Sequence, residues 1–170
     1  MQQVDLSALG DLFEQPWLAT LATYRRDDTV LLSAVWYEWD GEGFVVSLVD
    51  GDVKHRHIRR RPLVSLMIAE EAAYPGRMLE VSGVATVRPD DGAQDIRRIA
   101  TRYLGEDVAR RWIEQYPELR WVTIRLVPER SRALDHRNVP FLAEAEPRYP
   151  STTEWRIQMT ETGSEITSSR

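Results

Sequence analysis

Short apolar runs, rich in β-forming residues and separated by turn residues, follow one another over residues 17–127, and this alternation constrains the fold most strongly. The connections between the first three runs are too short to contain the crossover that parallel pairing requires. We therefore predict an α+β fold, mainly β, with an antiparallel split barrel of six strands and peripheral helices. The six runs cover residues 17–24, 30–39, 44–49, 63–69, 78–87 and 121–127.

Helical periodicity predicts four helices around these strands. Apolar residues at helical spacing predict a helix over 5–14, which ends before Pro16, and two more helices between residues 89 and 116. After the third strand, Asp52 is a suitable N-cap for a short helix over 53–61 that Pro62 ends. We predict that residues 1–135 form the barrel domain and that the mostly polar segment 136–170 is a C-terminal extension, partly ordered at most.

Composition excludes several classes of function. The chain contains no cysteine, which rules out disulfides, thiolate metal sites and cysteine nucleophiles. No apolar run approaches the roughly 20 residues of a membrane span, and the N-terminal residues lack the pattern of a secretory signal, so a cytoplasmic protein is expected. A formal net charge of -5 argues against a nucleic-acid partner.

The densest basic segment of the chain, residues 54–61, lies on the predicted short helix. It includes Lys54, the only lysine among 22 Lys and Arg residues. A helix N-terminus carries free N–H groups and partial positive charge, and a lysine beside it adds a mobile donor for phosphate oxygens. The segment therefore indicates an anion site, although a solvated helix face would explain the same charges.

Four stretches of sequence occur in a characteristic order and spacing: LATLAT at 18–23, SAVWY at 33–37, the basic helix with the following strand at 54–66, and LEVSG at 79–83. In these stretches the chain resembles the FMN-binding split barrels of the pyridoxamine 5'-phosphate oxidase-like superfamily, most closely the F420-dependent (deazaflavin) branch. The resemblance covers residues 17–135. The chain departs from the usual pattern with Asp27-Asp28 at a turn, His57 in place of asparagine and Arg61 in place of aspartate.

The resemblance implies a homodimer in which each cofactor lies in a groove between two barrels. The cofactor would be coenzyme F420, with FMN as the alternative, and Lys54 would bind its phosphate. Ser33 and the backbone of Val35 would contact the ring, beside Trp36 as an aromatic wall. The expected cofactor-binding set is Ser33, Ala34, Val35, Trp36, Ser47, Asp52, Lys54, His57, Arg59, Arg77 and Met78, of which Arg77 and Met78 correspond to positions that often face the partner's cofactor.

The function implied is that of an F420-dependent oxidoreductase acting on an electron-poor double bond in a small molecule, such as a quinone, an enone or a tetrapyrrole. Because the cofactor carries the hydride chemistry, we expect no dedicated catalytic acid or base. An FMN-dependent oxidase or reductase and a non-catalytic cofactor carrier remain alternatives. No metal site is expected, because His55 and His57 fall on different helix faces and no third ligand is evident. Packing in the core or in a dimer interface explains Trp36 equally well.

Overall fold

The computed structural model describes residues 6–70 and 76–137, in which eight strands and four α-helices are found. The strands are β1 (Ala19–Tyr24), β2 (Val30–Val35), β3 (Glu38–Trp39), β4 (Phe44–Val49), β5 (Leu63–Ala69), β6 (Arg77–Pro89), β7 (Trp121–Leu126) and β8 (Arg130–Asp135). The helices are α1 (Gly10–Glu14), α2 (Val53–Arg60), α3 (Gln94–Leu104) and α4 (Glu106–Glu114), with short 3-10 segments at Leu6–Leu9 and Asp91–Ala93. No helix within these two ranges is long and apolar enough to cross a membrane.

All the strand pairs are antiparallel, and the strand order is β2-β1-β5-β6-β7-β4-β3, with β8 added along β6. The long strand β6 joins the two halves of the sheet, because it pairs with β5 up to Val84 and with β7 from Ala85 onwards. The sheet therefore curls into a half-barrel, which confirms the predicted α+β, mainly antiparallel class. Gly83 lies at this change of partner, where a Cβ atom would come 2.8 Å from the Val127 carbonyl oxygen. A glycine is therefore needed where the two backbones approach so closely.

One face of each strand fills the barrel interior. Along β1, Ala19, Leu21 and Thr23 are buried, while the residues between them are only partly buried, as the two-residue period of a strand requires. Helix α1 closes one end of the barrel with Phe13, whose ring centroid lies 5.4 Å from that of Phe44. The largest fully buried side chain is Tyr37, in the short connection between β2 and β3.

Helices α3 and α4 carry a second, smaller apolar cluster next to β4 and β7. Asp90 positions α3, because its two carboxylate oxygens accept hydrogen bonds from the backbone N–H groups of Asp95 (3.0 Å) and Ile96 (2.9 Å). The backbone N–H of Asp90 in turn donates to the carbonyl of Trp121 at 3.0 Å. The start of α3 is thereby fixed to the start of β7, so that both helices lie beside the open edge of the barrel.

The sheet has eight strands where six were predicted, and the two extra strands have physical explanations. The run predicted over 30–39 is divided into β2, which pairs with β1, and β3, which pairs with β4. The break falls at Trp36 and Tyr37, and because aromatic residues are themselves typical of strands the sequence pattern does not show it. Strand β8 alternates between exposed arginines and buried or partly buried small residues, which is too polar a pattern to suggest a strand from sequence.

The C-terminal extension predicted over 136–170 lies outside the described residues except for its first two. The proposed boundary between the barrel domain and this extension therefore stays a prediction. The short basic helix is confirmed as α2, and the two helices predicted between residues 89 and 116 are confirmed as α3 and α4.

Candidate functional site

A groove with a volume of about 310 Å³ opens between the end of β2 and the end of β4. These strands lie at or next to opposite ends of the strand order, and helices α3 and α4 form the wall on the far side. The first turn of α2 forms one end of the groove. The lining residues are Leu18, Ala34, Val35, Trp36, Ser47, Leu48, Val49, Asp52, Lys54, Ile96, Ile99, Trp112 and Trp121.

An aromatic wall forms one side of the groove. The ring of Trp36 stacks on that of Tyr103, with centroids 5.2 Å apart and an interplanar angle of 15°, and meets Trp112 edge-on at 5.5 Å. Trp112 is followed by Trp121 at 5.7 Å. The Tyr103 hydroxyl donates to the Trp17 carbonyl at 2.8 Å, which fixes the stack against the barrel. Such a rigid, flat and largely apolar surface is suited to a planar ring system.

The opposite end of the groove is polar and is formed by the N-terminus of α2. Asp52 caps this helix, with its Oδ1 accepting a hydrogen bond from the backbone N–H of Lys54 at 2.7 Å. The Lys54 ammonium lies 2.9 Å from the same oxygen and 3.1 Å from Oδ2. The side chain of Lys54 is 18% exposed, so it is partly sheltered but can be reached from the groove. A helix N-terminus with a lysine in its first turn is able to hold an anionic group.

Ser47 contributes a polar atom to the groove that the protein itself does not satisfy. Its Oγ is buried and has no hydrogen-bond partner. Buried polar atoms are rarely left unpaired in folded proteins, and an exception needs an explanation. A ligand atom in the groove would supply the missing partner.

Most of the basic residues of α2 have structural partners outside the groove. Their contacts join the helix to the preceding loop and to the β1–β2 hairpin: His55 with Asp50 and the Gly51 N–H, Arg56 with the Gly51 carbonyl, Arg60 with the Tyr24 carbonyl, and Arg61 with Asp28 and the ring of Tyr24. The basic segment therefore anchors the helix, and Lys54 is the residue of this segment that lines the groove.

The model of the pyridoxamine 5'-phosphate oxidase family matches residues 7–134. The chain belongs to this family. The resemblance found in the sequence is thereby confirmed. No functionally curated protein matches the chain in a sequence comparison.

Three solved structures share this fold. A conserved hypothetical protein from Mycobacterium tuberculosis has 24% identity and a TM-score of 0.70, over 90% of this chain and 99% of the other. A protein described as an F420 reductase has 28% identity and a TM-score of 0.60, over 72% of this chain and 94% of the other. An FAD-binding protein from Mesorhizobium loti has 16% identity and a TM-score of 0.56, over 78% and 93% of the two chains.

In this member of the family, the groove brings together six residues of the predicted cofactor set: Ala34, Val35, Trp36, Ser47, Asp52 and Lys54. Ser33 precedes them on β2 but pairs with Leu21 and is not among the lining residues. Arg59 is exposed and also lies outside the lining.

His57 is buried outside the groove, against β1. Its Nδ1 lies 3.1 Å from the Thr23 hydroxyl. Burial lowers the pKa of His57, and the nearby Arg60, Arg25 and Arg56 lower it further. A neutral imidazole that bonds to a barrel strand fits a packing role within the chain.

Arg77 and Met78 lie at the start of β6 and do not line the groove of their own chain. Arg77 is buried and binds Glu70 through Nε (3.2 Å) and Nη2 (3.1 Å), and Asp11 through Nη1 (2.6 Å). Hydrogen bonds that Arg77 donates to these two carboxylates, first to Glu70 and then to Asp11, raise the pKa of Arg77 above its ordinary value. Met78 pairs with Ala69 of β5 and Leu134 of β8.

The sequence did not reveal the far wall of the groove. Ile96 and Ile99 of α3, Trp112 of α4 and Trp121 of β7 all line it, yet each follows a pattern that ordinary core packing explains equally well. The sequence signal that could have revealed this wall was the pair Trp112 and Trp121. The other aromatic residues between residues 94 and 126 are tyrosines. Their convergence on Trp36 depends on the tertiary position of α3 and α4.

Proposed function

We propose that this protein is an F420-dependent oxidoreductase that reduces an electron-poor double bond in a small molecule such as a quinone, an enone or a tetrapyrrole. The observation that carries the proposal is a groove with an aromatic wall at one side and the N-terminus of α2, with Lys54, at one end. The bound deazaflavin would supply the hydride. The protein would supply binding, orientation and exclusion of water.

The residues present fit such a ligand. Trp36 and Trp112 offer flat apolar surface for the ring, and the unpaired Ser47 hydroxyl offers a hydrogen bond to a polar ring atom or linker. Lys54 and the first N–H groups of α2 would hold the phosphate. The groove lies at the lower end of the volumes typical of ligand pockets, about 300–1,000 Å³, so it would accommodate the ring while the tail extends outside.

One comparison supports F420 over other ring cofactors. The solved F420 reductase is 28% identical, and nearly its whole length is covered by this chain. Among the lining residues only Asp52 and Lys54 are charged, and these two side chains pair with each other. We assign no acid–base role to a side chain of the groove, which agrees with chemistry carried by the cofactor.

We further propose that the protein acts as a homodimer through the outer face of β1, β2, β5 and β6. The strand register places Leu32 opposite Ala22, Ala34 opposite Thr20, and Leu63 opposite Val84, all on the side of the sheet that faces away from the core. Leu32 is 64% exposed and Val84 is 49% exposed. Exposed apolar side chains of this kind favour burial against another protein surface. Met78 belongs to the same face, so a partner there would bring it close to the second copy.

Hydride transfer tests the proposal directly. Purified protein is mixed with reduced F420 and a simple quinone, and the return of oxidised F420 is followed by its absorbance. Enzyme-dependent oxidation of F420 together with reduction of the quinone is the expected result. Tight cofactor binding without turnover across a panel of quinones and enones would instead support a carrier.

FMN-dependent oxidation or reduction is the second candidate, because the family itself is described by an oxidase and one structural relative is an FAD-binding protein. The colour of the protein distinguishes the two cofactors. Protein purified yellow, with FMN released on denaturation, from a host that makes no F420 would favour FMN. Colourless protein that binds added F420 would favour the first candidate.

A further inference from the structure

The charged side chains that line the polar end of the groove have no net charge. Asp52 and Lys54 are the charged residues among those that line it, and their charges cancel. The Asp52 carboxylate lies 2.9 Å from the Lys54 ammonium and accepts the backbone N–H of Lys54 at 2.7 Å. The cation and one of the first N–H groups of α2 are thus already bound to a carboxylate of the same chain.

This arrangement opposes a phosphate group. A phosphate carries a charge of about −1.5 to −2 at pH 7, and one that contacts Lys54 comes close to Asp52 as well. At equal distances the repulsion from a carboxylate is as large as the attraction to an ammonium group. Arg56 and His55 are not among the lining residues, because Arg56 is directed to the Gly51 carbonyl and His55 contacts Asp50 and the Gly51 N–H.

We propose that Asp52 is a specificity-determining residue, which reduces the part of the cofactor affinity that comes from the phosphate and leaves ring contacts dominant. The assignment rests on the proposed function and deepens it. It predicts that cofactors with and without phosphate bind the native protein with similar affinity. It also predicts that neutralising Asp52 restores selectivity for phosphate.

Asp52→Asn is the informative variant, because asparagine caps a helix as well as aspartate does but carries no charge. Native protein and variant are titrated with FMN and with riboflavin, which differ only by the phosphate. F420 and its ribityl deazaflavin, which lacks the phosphate together with the tail attached to it, form a second pair. Quenching of tryptophan fluorescence reports binding, because Trp36, Trp112 and Trp121 line the groove.

In the native protein, the two members of each pair that binds are expected to have dissociation constants within about threefold of each other. In Asp52→Asn, the phosphate-bearing member is expected to bind about tenfold more tightly, while the phosphate-free member changes by less than about twofold. Asp52→Ser, which also preserves the cap, is expected to give the same result.

Asp50→Asn is the matched control. It removes the same charge from the same loop, but Asp50 is half exposed, pairs with His55 and does not line the groove. An equal gain of phosphate affinity in this control would overturn the assignment, as would a native protein that already binds FMN or F420 at least about tenfold more tightly than its phosphate-free counterpart. Absence of binding by all four ligands would instead contradict the proposed function, and with it the role of Asp52.

Discussion

Lys54 and Arg77 are both basic residues of the predicted cofactor set, but their surroundings differ. Lys54 has a single carboxylate neighbour, Asp52, and lies at the end of the groove with 18% of its side chain exposed. Arg77 has two carboxylate neighbours, Glu70 and Asp11, and only 6% of its side chain is exposed. Three N–H groups of the buried Arg77 guanidinium donate to carboxylates of its own chain, whereas the partly exposed ammonium of Lys54 contacts one carboxylate and has donor capacity left.

The contrast shows that the number of fixed acceptors around a cation, rather than the charge itself, decides whether it is available to a ligand. Arg77 joins α1, the end of β5 and the start of β6 through its two carboxylates. Arg77 therefore stabilises the fold of this chain. Lys54 is held only by the cap of its own helix, so a ligand can compete for it.

Loss of Arg77 is expected to give the largest effect of any substitution considered. Arg77→Met leaves Glu70, whose side chain is 15% exposed, without its main partner. The free energy of unfolding is expected to fall by about 2–3 kcal/mol, because breaking a buried ion pair strands a charge. Urea unfolding measures this change. A second substitution, Glu70→Gln, is expected to recover part of the loss.

A stability of Arg77→Met within about 0.5 kcal/mol of the native value would show that the pair is not structural. The affinity of the folded variant for F420 is expected to stay within about twofold of native. A larger loss of affinity would instead place Arg77 in a cofactor site, as the sequence predicted.

Loss of Lys54 is expected to give the opposite pattern. Lys54→Ala should weaken F420 binding by about tenfold or more, since it leaves the Asp52 carboxylate beside the phosphate without its compensating charge, and should change the free energy of unfolding little. Parallel titrations and urea unfolding of the same preparation measure both quantities. Lys54→Arg, which keeps the charge, is the control and should bind more tightly than the alanine variant. Equal affinities for native and Lys54→Ala protein would remove Lys54 from the site.

Acid pH should reveal how much the Arg77–Glu70 pair contributes to stability. Hydrogen bonding to Arg77 holds the pKa of Glu70 below its ordinary value of 4.5. A carboxylate whose pKa is lowered in the folded state stabilises the protein above the unfolded-state pKa, and this contribution is lost as the pH falls through the folded-state value. The urea midpoint of the native protein should therefore decrease as the pH is lowered below about 4.5, and that of Arg77→Met should decrease less steeply. The same dependence of the urea midpoint on pH in both proteins would contradict this contribution of the Arg77–Glu70 pair.

The smallest effect is expected for Arg59, the other basic residue of α2 that was placed in the cofactor set. It is exposed and lies five positions after Lys54, about 140° around the helix. Arg59→Ala should change the F420 dissociation constant by less than about twofold. A loss comparable to that of Lys54→Ala would show that the anionic tail runs along the exposed face of α2.

Local sequence patterns were sufficient for most of the fold. Turn residues and two-residue periodicity located the strands, and Asp52 and Pro62 marked the ends of α2 correctly. The division of residues 30–39 into β2 and β3 was missed, because it depends on which half of the sheet each piece joins. Strand β8 was missed because its arginines and small residues carry no hydrophobic pattern.

The candidate site was likewise only partly predictable from the sequence. Trp36 and Lys54 were found because β2 and α2 lie close in sequence and each carries a recognisable local signal. Trp112 and Trp121 were not found, because only tertiary packing brings α4 and β7 next to β2. The partners of Arg56 and Arg60 are backbone carbonyls, which leave no trace in a sequence, so their structural roles could not be predicted.

We propose that the groove beside Trp36, Trp112 and Trp121 binds a flat redox cofactor. Titration of the native protein with oxidised F420, followed by tryptophan fluorescence, measures this binding. Saturable quenching in the micromolar range is the expected result. Fluorescence that does not change beyond the inner-filter effect of free F420, at any accessible concentration, would contradict the claim.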